Sequence, residues 1–144
     1  MDEFAQCEAC GAWKTTNRYV YNNRIERHHI VKKSRAGYMR NIPINFKNLC
    51  SQCHRLNKDA VHNDKSVDRR YKEELQLKLQ QIFHNDYYNI HQIKNALETT
   101  KSEAEKLCKT LRIYKEGYSS KELIIHMMGD KNYLEDDEEK ENME

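Results

Sequence analysis

Two cysteine pairs, Cys7-x2-Cys10 and Cys50-x2-Cys53, constrain this chain of 144 residues more than any other feature. Thiolates three positions apart can approach one tetrahedral ion, and Gly11 supplies a tight turn directly after the first pair. Taken together, the two knuckles predict a structural zinc (Zn2+) site formed by Cys7, Cys10, Cys50 and Cys53. Four unligated thiols are one alternative. A redox pair is another, although neither knuckle sits in a thioredoxin-like strand and helix. Disulfides are not expected: Met1-Asp2-Glu3-Phe4 has neither the basic start nor the apolar core of a secretory signal, which predicts a reducing, cytoplasmic setting. A zinc clamp would also offset the small core of a unit of about 60 residues. Cys108 lies apart, on a helical apolar stripe, and reads as a core residue.

Composition removes several classes. With a mean hydropathy of -1.07 and no apolar run near the roughly 20 residues of a membrane span, no membrane partner is expected. Only 4 Gly and 1 Pro exclude collagen-like, linker-like and Gly-rich phosphate-loop chains. The net charge of +2 conceals a segregation: Gly11 to Lys58 holds 11 basic residues against Glu26 alone, whereas Glu135 to Glu144 holds seven acids and Lys140. The first stretch predicts a surface for a polyanion.

Beyond Ser66 the pattern becomes helical. Val67, Tyr71, Leu75, Leu79, Ile82 and Phe83 recur at helical spacing and predict a long amphipathic helix from Ser66, as its cap, to about His84. Ile90, Ile93, Ala96 and Leu97 predict a short second helix. Ser102 with Glu105 predicts the start of a third, carrying Ala104, Leu107, Cys108, Leu111 and Tyr114 and ending at Gly117. Ser119 with Glu122 opens a fourth, which Gly129 closes. The expected organisation is therefore residues 1–66, a zinc-stabilised unit; 67–134, a helical region; and 135–144, an acidic disordered tail.

Between the knuckles lie His28-His29-Ile30-Val31 and Asn45-Phe46-Lys47-Asn48-Leu49, and His54 follows the last cysteine. In this combination and order, residues 5–62 resemble the HNH endonucleases, whose core is a ββα-metal fold. The resemblance implies an α+β fold with a small zinc-stabilised ββα-metal core, followed here by the helical region. It also implies catalytic roles for His28, His29, Asn45 and His54. His29 matches the general base, His28 and His54 match ligands of a catalytic Mg2+ or Mn2+, and Asn45 matches the residue that braces the loop and orients the His29 ring. His28 stands where many relatives have Asp. Lys32 replaces a common Pro, Ala36-Gly37 a Gly-Gly pair, and Asn57 a Lys. Histidine changes charge near neutral pH, which suits a general base. Adjacent strand residues point to opposite faces, so His28 and His29 can serve one site only where the strand ends or bends. Glu26 shares the parity of His28 and is a candidate acceptor for it; a solvated ion pair with Arg27 or Arg24 is the alternative. His62 is an additional candidate ligand, two turns beyond His54 if that helix continues; a surface histidine is the alternative. His84, His91 and His126 are expected at the surface or at boundaries.

The implied reaction is metal-dependent hydrolysis of phosphodiester bonds, and the basic stretch makes DNA the expected partner. Arg24, Arg27, Lys32, Lys33, Arg35, Arg40 and Arg55 are candidates for phosphate contacts. In the helical region, the residues around Thr99-Thr100 resemble a helix-turn-helix with the Ser102 helix as reader. The same spacing describes packed core helices or a dimer contact. A non-catalytic, zinc-stabilised DNA-binding module is the alternative to an enzyme.

Overall fold

The computed structural model describes residues 3–134, so the tail expected at 135–144 lies outside the described residues. The architecture is α+β, with four α-helices and three small antiparallel sheets among those residues. They divide into two units, 3–30 with 46–71 and 31–45 with 72–134. This division differs from the one expected at residue 66, because Ala36, Met39 and Ile42 on the 31–45 segment are fully buried and anchor it in the second unit. Among the described residues no helix is long and apolar enough to cross a membrane.

In the first unit, β1 (Phe4–Gln6) and β2 (Trp13–Thr15) pair antiparallel, with Phe4 opposite Thr15 and Gln6 opposite Trp13. The first knuckle is the turn between them, and Gly11, at φ +80°, adopts the left-handed conformation that closes it. β3 (Ile25–His29) pairs antiparallel with β4 (Phe46–Cys50), from Ile25 opposite Cys50 to His29 opposite Phe46. Alternation along β3 separates Glu26 and His28 from Arg27 and His29. A single π-helical turn, Gln52–Leu56, follows β4 and is closed by Asn57 N–H donating to the Gln52 carbonyl at 2.9 Å. It carries Cys53, His54 and Arg55.

Helix α1 (Lys65–Ile82) follows the predicted stripe, with Tyr71, Leu75 and Leu79 buried and Phe83 just past its end. Its cap is Asp64 rather than Ser66: the Asp64 carboxylate accepts from Ser66 N–H at 2.9 Å and from the Ser66 hydroxyl at 2.6 Å. The second unit continues with β5 (Tyr87–Tyr88), α2 (Ile90–Ala96), α3 (Lys101–Cys108), β6 (Ile113–Tyr114), β7 (Gly117–Ser119) and α4 (Ser120–Met127), the sheet running β5-β7-β6. α3 differs from expectation at both ends. Thr100, not Ser102, caps it by accepting from Glu103 N–H, and it stops at Cys108 instead of reaching Gly117. Ile113, Tyr114 and Tyr118 have strand-forming side chains, and a Lys115-Glu116 turn lets them pair as β6 and β7. Gly117, at φ +123°, ends no helix; a Cβ there would lie 2.7 Å from the Tyr88 carbonyl oxygen. α4 begins as predicted, with Ser119 accepting from Glu122 N–H. Cys108 is buried, as its stripe predicted. His126 is also buried rather than superficial, its ring stacked on Tyr38 at 3.9 Å between centroids.

Candidate functional site

The β1–β2 turn and the start of the π-turn bring the two knuckles together. One ligand atom from each of Cys7, Cys10, Cys50 and Cys53 lies within 4.8 Å of the others, and none of these cysteines is in a disulfide. Burial and neighbouring thiols push Cys50 and Cys53 upward. At Cys7 burial opposes ionisation, but hydrogen bonds from the backbone of Cys10, Cys50 and Ala9 outweigh it and bring the thiol down to about 7. Four sulfurs at this spacing are compatible with a structural metal such as zinc, which would favour their thiolate forms.

A second convergence involves histidines. His28 comes from β3, His54 from the π-turn and His62 from the segment that follows, and their candidate ligand atoms also lie within 4.8 Å of one another. His62 does not continue a helix. The chain turns back after Leu56, so that Val61 N–H donates to the Cys53 carbonyl at 3.0 Å and His62 N–H to the His54 carbonyl at 3.2 Å. Asn63 holds this return through bonds to the Arg55 and Asn57 carbonyls, both 2.8 Å. The Nε2 atoms of His54 and His62 are 2.9 Å apart. His28 lies 5.2 Å from each of the other two rings, and its own Nε2 is buried with no hydrogen-bond partner. Burial, with the adjacent His54 and His62, lowers His28 to about 3, so the ring is neutral at physiological pH and offers a lone pair rather than a charge. An unsatisfied buried nitrogen beside two further imidazole nitrogens fits a metal centre of three histidines.

Glu26 orients this cluster, and its partner is His54, not His28. Its Oε1 is 2.8 Å from His54 Nδ1, which assigns the proton to Nδ1 and leaves Nε2 facing the other two histidines. Arg55 Nε donates to both Glu26 oxygens, at 3.0 and 3.2 Å, while Arg55 Nη2 and Arg24 Nε each donate to Oε2 at 2.9 Å. Burial opposes the charge, but hydrogen bonds from Arg55, His54 and Arg24 outweigh it and hold the carboxyl at about 2.

His29 ends β3 on the opposite strand face, half-buried, with its ring 5.2 Å from that of Phe46. In the second unit, Asn45 is fully buried and closes the 31–45 segment on itself. Its Oδ1 accepts from Val31 N–H at 2.8 Å, and Nδ2 donates to the Val31 and Met39 carbonyls at 3.0 and 3.2 Å. Of the candidate phosphate contacts, Arg24 and Arg55 are engaged by Glu26, and Arg27 lies over the Phe46 ring at 4.5 Å. Lys32, Lys33, Arg35 and Arg40 are exposed on the second unit, where Arg35 Nε also donates to the Gly129 carbonyl at 2.8 Å.

No family model, curated protein or solved structure matches the chain. The functional reading therefore rests on the chemistry of these side chains.

Proposed function

We propose that this chain is a metal-dependent DNA endonuclease of the HNH type. The observation that carries the reading is the convergence of His28, His54 and His62, with the unpartnered His28 Nε2 among them, next in sequence to His29 at the end of β3. His28, His54 and His62 hold the catalytic cation, and Cys7, Cys10, Cys50 and Cys53 hold zinc. The bound cation supplies Lewis-acid stabilisation of the charge developing on the phosphate and the leaving 3′ oxygen. His29 accepts the proton of the attacking water, whose oxygen adds to phosphorus as the bond to the leaving oxygen breaks. Glu26 fixes the His54 tautomer, and Asn45 braces the 31–45 segment. Between Mg2+ and Mn2+, three imidazole nitrogens favour Mn2+, and they also suit Co2+, Ni2+ and Zn2+. The excess of basic residues between Gly11 and Lys58 favours DNA as the polyanion.

The test is plasmid conversion by purified full-length chain, with each ion added back after mild chelation that leaves the four-cysteine metal in place. Nicked or linear product is expected with Mn2+, and none without an added ion. DNA binding with no cleavage under any of these ions would overturn the enzyme reading in favour of a non-catalytic, zinc-stabilised module.

A further inference from the structure

The first unit carries a second surface that the proposed chemistry does not use. Among the described residues, four of the eight large hydrophobic side chains left exposed lie within the first 21 positions: Phe4 at 64%, Trp13 at 65%, Tyr19 at 79% and Tyr21 at 78%. The β1–β2 register places Phe4 and Trp13 on one face of the ribbon, as diagonal neighbours. Cations accompany the tyrosines, with Arg18 5.1 Å from the Tyr19 ring centroid and Arg24 5.8 Å from that of Tyr21. Between Phe4 and Arg24, Lys14, Arg18 and Arg24 face a single acid, Glu8. Exposed aromatic faces alternating with positive charge complement a chain that presents both flat rings and phosphates.

The loop bearing the tyrosines is held in shape. Asn17 Oδ1 accepts from Tyr19 N–H at 3.0 Å, Gln52 Nε2 donates to the Asn22 carbonyl at 2.8 Å, and Arg24 donates to the Arg18 carbonyl. Arg55 Nη2 donates to the Tyr21 carbonyl at 2.8 Å and also to Glu26, whose other oxygen meets His54. Two side chains thus connect Tyr21 to the histidine cluster.

We propose that Trp13, Tyr19 and Tyr21, with Arg18 and Arg24, form a stacking platform for the bases of single-stranded DNA beside the histidine centre. The proposal rests on the nuclease reading for its choice of DNA, and it narrows the substrate to strands that are unpaired near the cut. In an intact duplex both faces of each base are already covered by neighbours, so exposed protein rings gain nothing from it. An unpaired base can lie on a ring while exposed Arg18 meets a flanking phosphate and Arg24, tied to Glu26, stays against the Tyr21 ring.

Trp13 is the chain's one tryptophan, so its fluorescence reports on the platform directly. The full-length chain, zinc-loaded and without added Mn2+, is titrated with an oligothymidylate, with a duplex of equal length and with the matching RNA at one salt concentration. The expected result is quenching of Trp13 by the single strand and an affinity at least about tenfold above that for the duplex. Tyr21→Ala is expected to weaken single-strand binding about tenfold, and Tyr21→Phe, which keeps the ring, to restore it. Tyr21 is exposed, and an unchanged melting temperature confirms that both variants fold. Equal or tighter binding of the duplex, binding without quenching, a preference for RNA, or loss of self-association in Tyr21→Ala would each overturn the proposal. Single-strand binding with these signatures but no cleavage would reject the nuclease and keep the platform, while plasmid cleavage without quenching would do the reverse.

Discussion

At Glu26 four proton-donating side chains, Arg24, Ser51, His54 and Arg55, meet one carboxylate, and the consequence falls on His54. With Nδ1 committed to Glu26, the lone pair of Nε2 is directed at His28 and His62. His28 is the complementary case, a ring kept neutral by burial. Both shifts have the same sign for stability. His28 drops from an ordinary 6.5 to about 3, so below 6.5 the unfolded chain binds a proton that the folded chain refuses, and stability falls as pH falls through that window. Glu26 drops from 4.5 to about 2, so its contribution is present above 4.5 and is lost between there and about 2. Thermal melts of wild type and His28→Gln across a pH series separate the two. The variant is expected to lose less stability than wild type between pH 6.5 and 4.5, and the difference cancels whatever the cysteine site contributes in both. The parity of Glu26 and His28 was legible from the strand. The His54 partnership was not, because it depends on how the turn after β4 folds over that strand.

Among the elements, the two knuckles were the most legible, since each is encoded by cysteines three positions apart, whereas the pairing of β3 with β4 was expected only through the ββα resemblance. His62 was not, because its approach to His54 uses a π-turn and a reversed chain where the sequence suggested two turns of regular helix. α3 shows the same effect, for Leu111 and Tyr114 continue the helical spacing while Ile113, Tyr114 and Tyr118 pair as strands. The four-cysteine cluster joins the β1–β2 turn to the end of β4, so metal-binding energy at this point is folding energy. Cys50→Ser is therefore expected to release bound zinc and to unfold the first unit. Metal analysis and amide NMR spectra of the variant check this; a folded first unit without zinc would contradict it.

At the scale of the molecule, the sequence shows a basic stretch followed by a nearly neutral helical region, but not how the chain distributes them. Residues 31–45 sit between β3 and β4 in sequence yet pack in the second unit, taking Lys32, Lys33, Arg35 and Arg40 with them. Apolar residues scattered through a polar loop, such as Met39 and Ile42, carry no periodic signal that would have revealed this. A cut at residue 66 would accordingly part residues 31–45 from the rest of the second unit and residues 67–71 from the first, so functional tests belong on the full chain. In the proposed function three histidines hold a metal and a fourth moves the proton. The direct measurement is the DNA cleavage rate against Mn2+ concentration for wild type, His62→Ala and His29→Ala. His62→Ala is predicted to need at least about tenfold more Mn2+ for half-maximal rate, the scale of a lost ligand-shell interaction. His29→Ala is predicted to keep the wild-type midpoint while its maximal rate falls roughly 10²-fold or more. A His29→Ala chain that cuts at the wild-type rate, or a His62→Ala curve that superimposes on wild type, would contradict it.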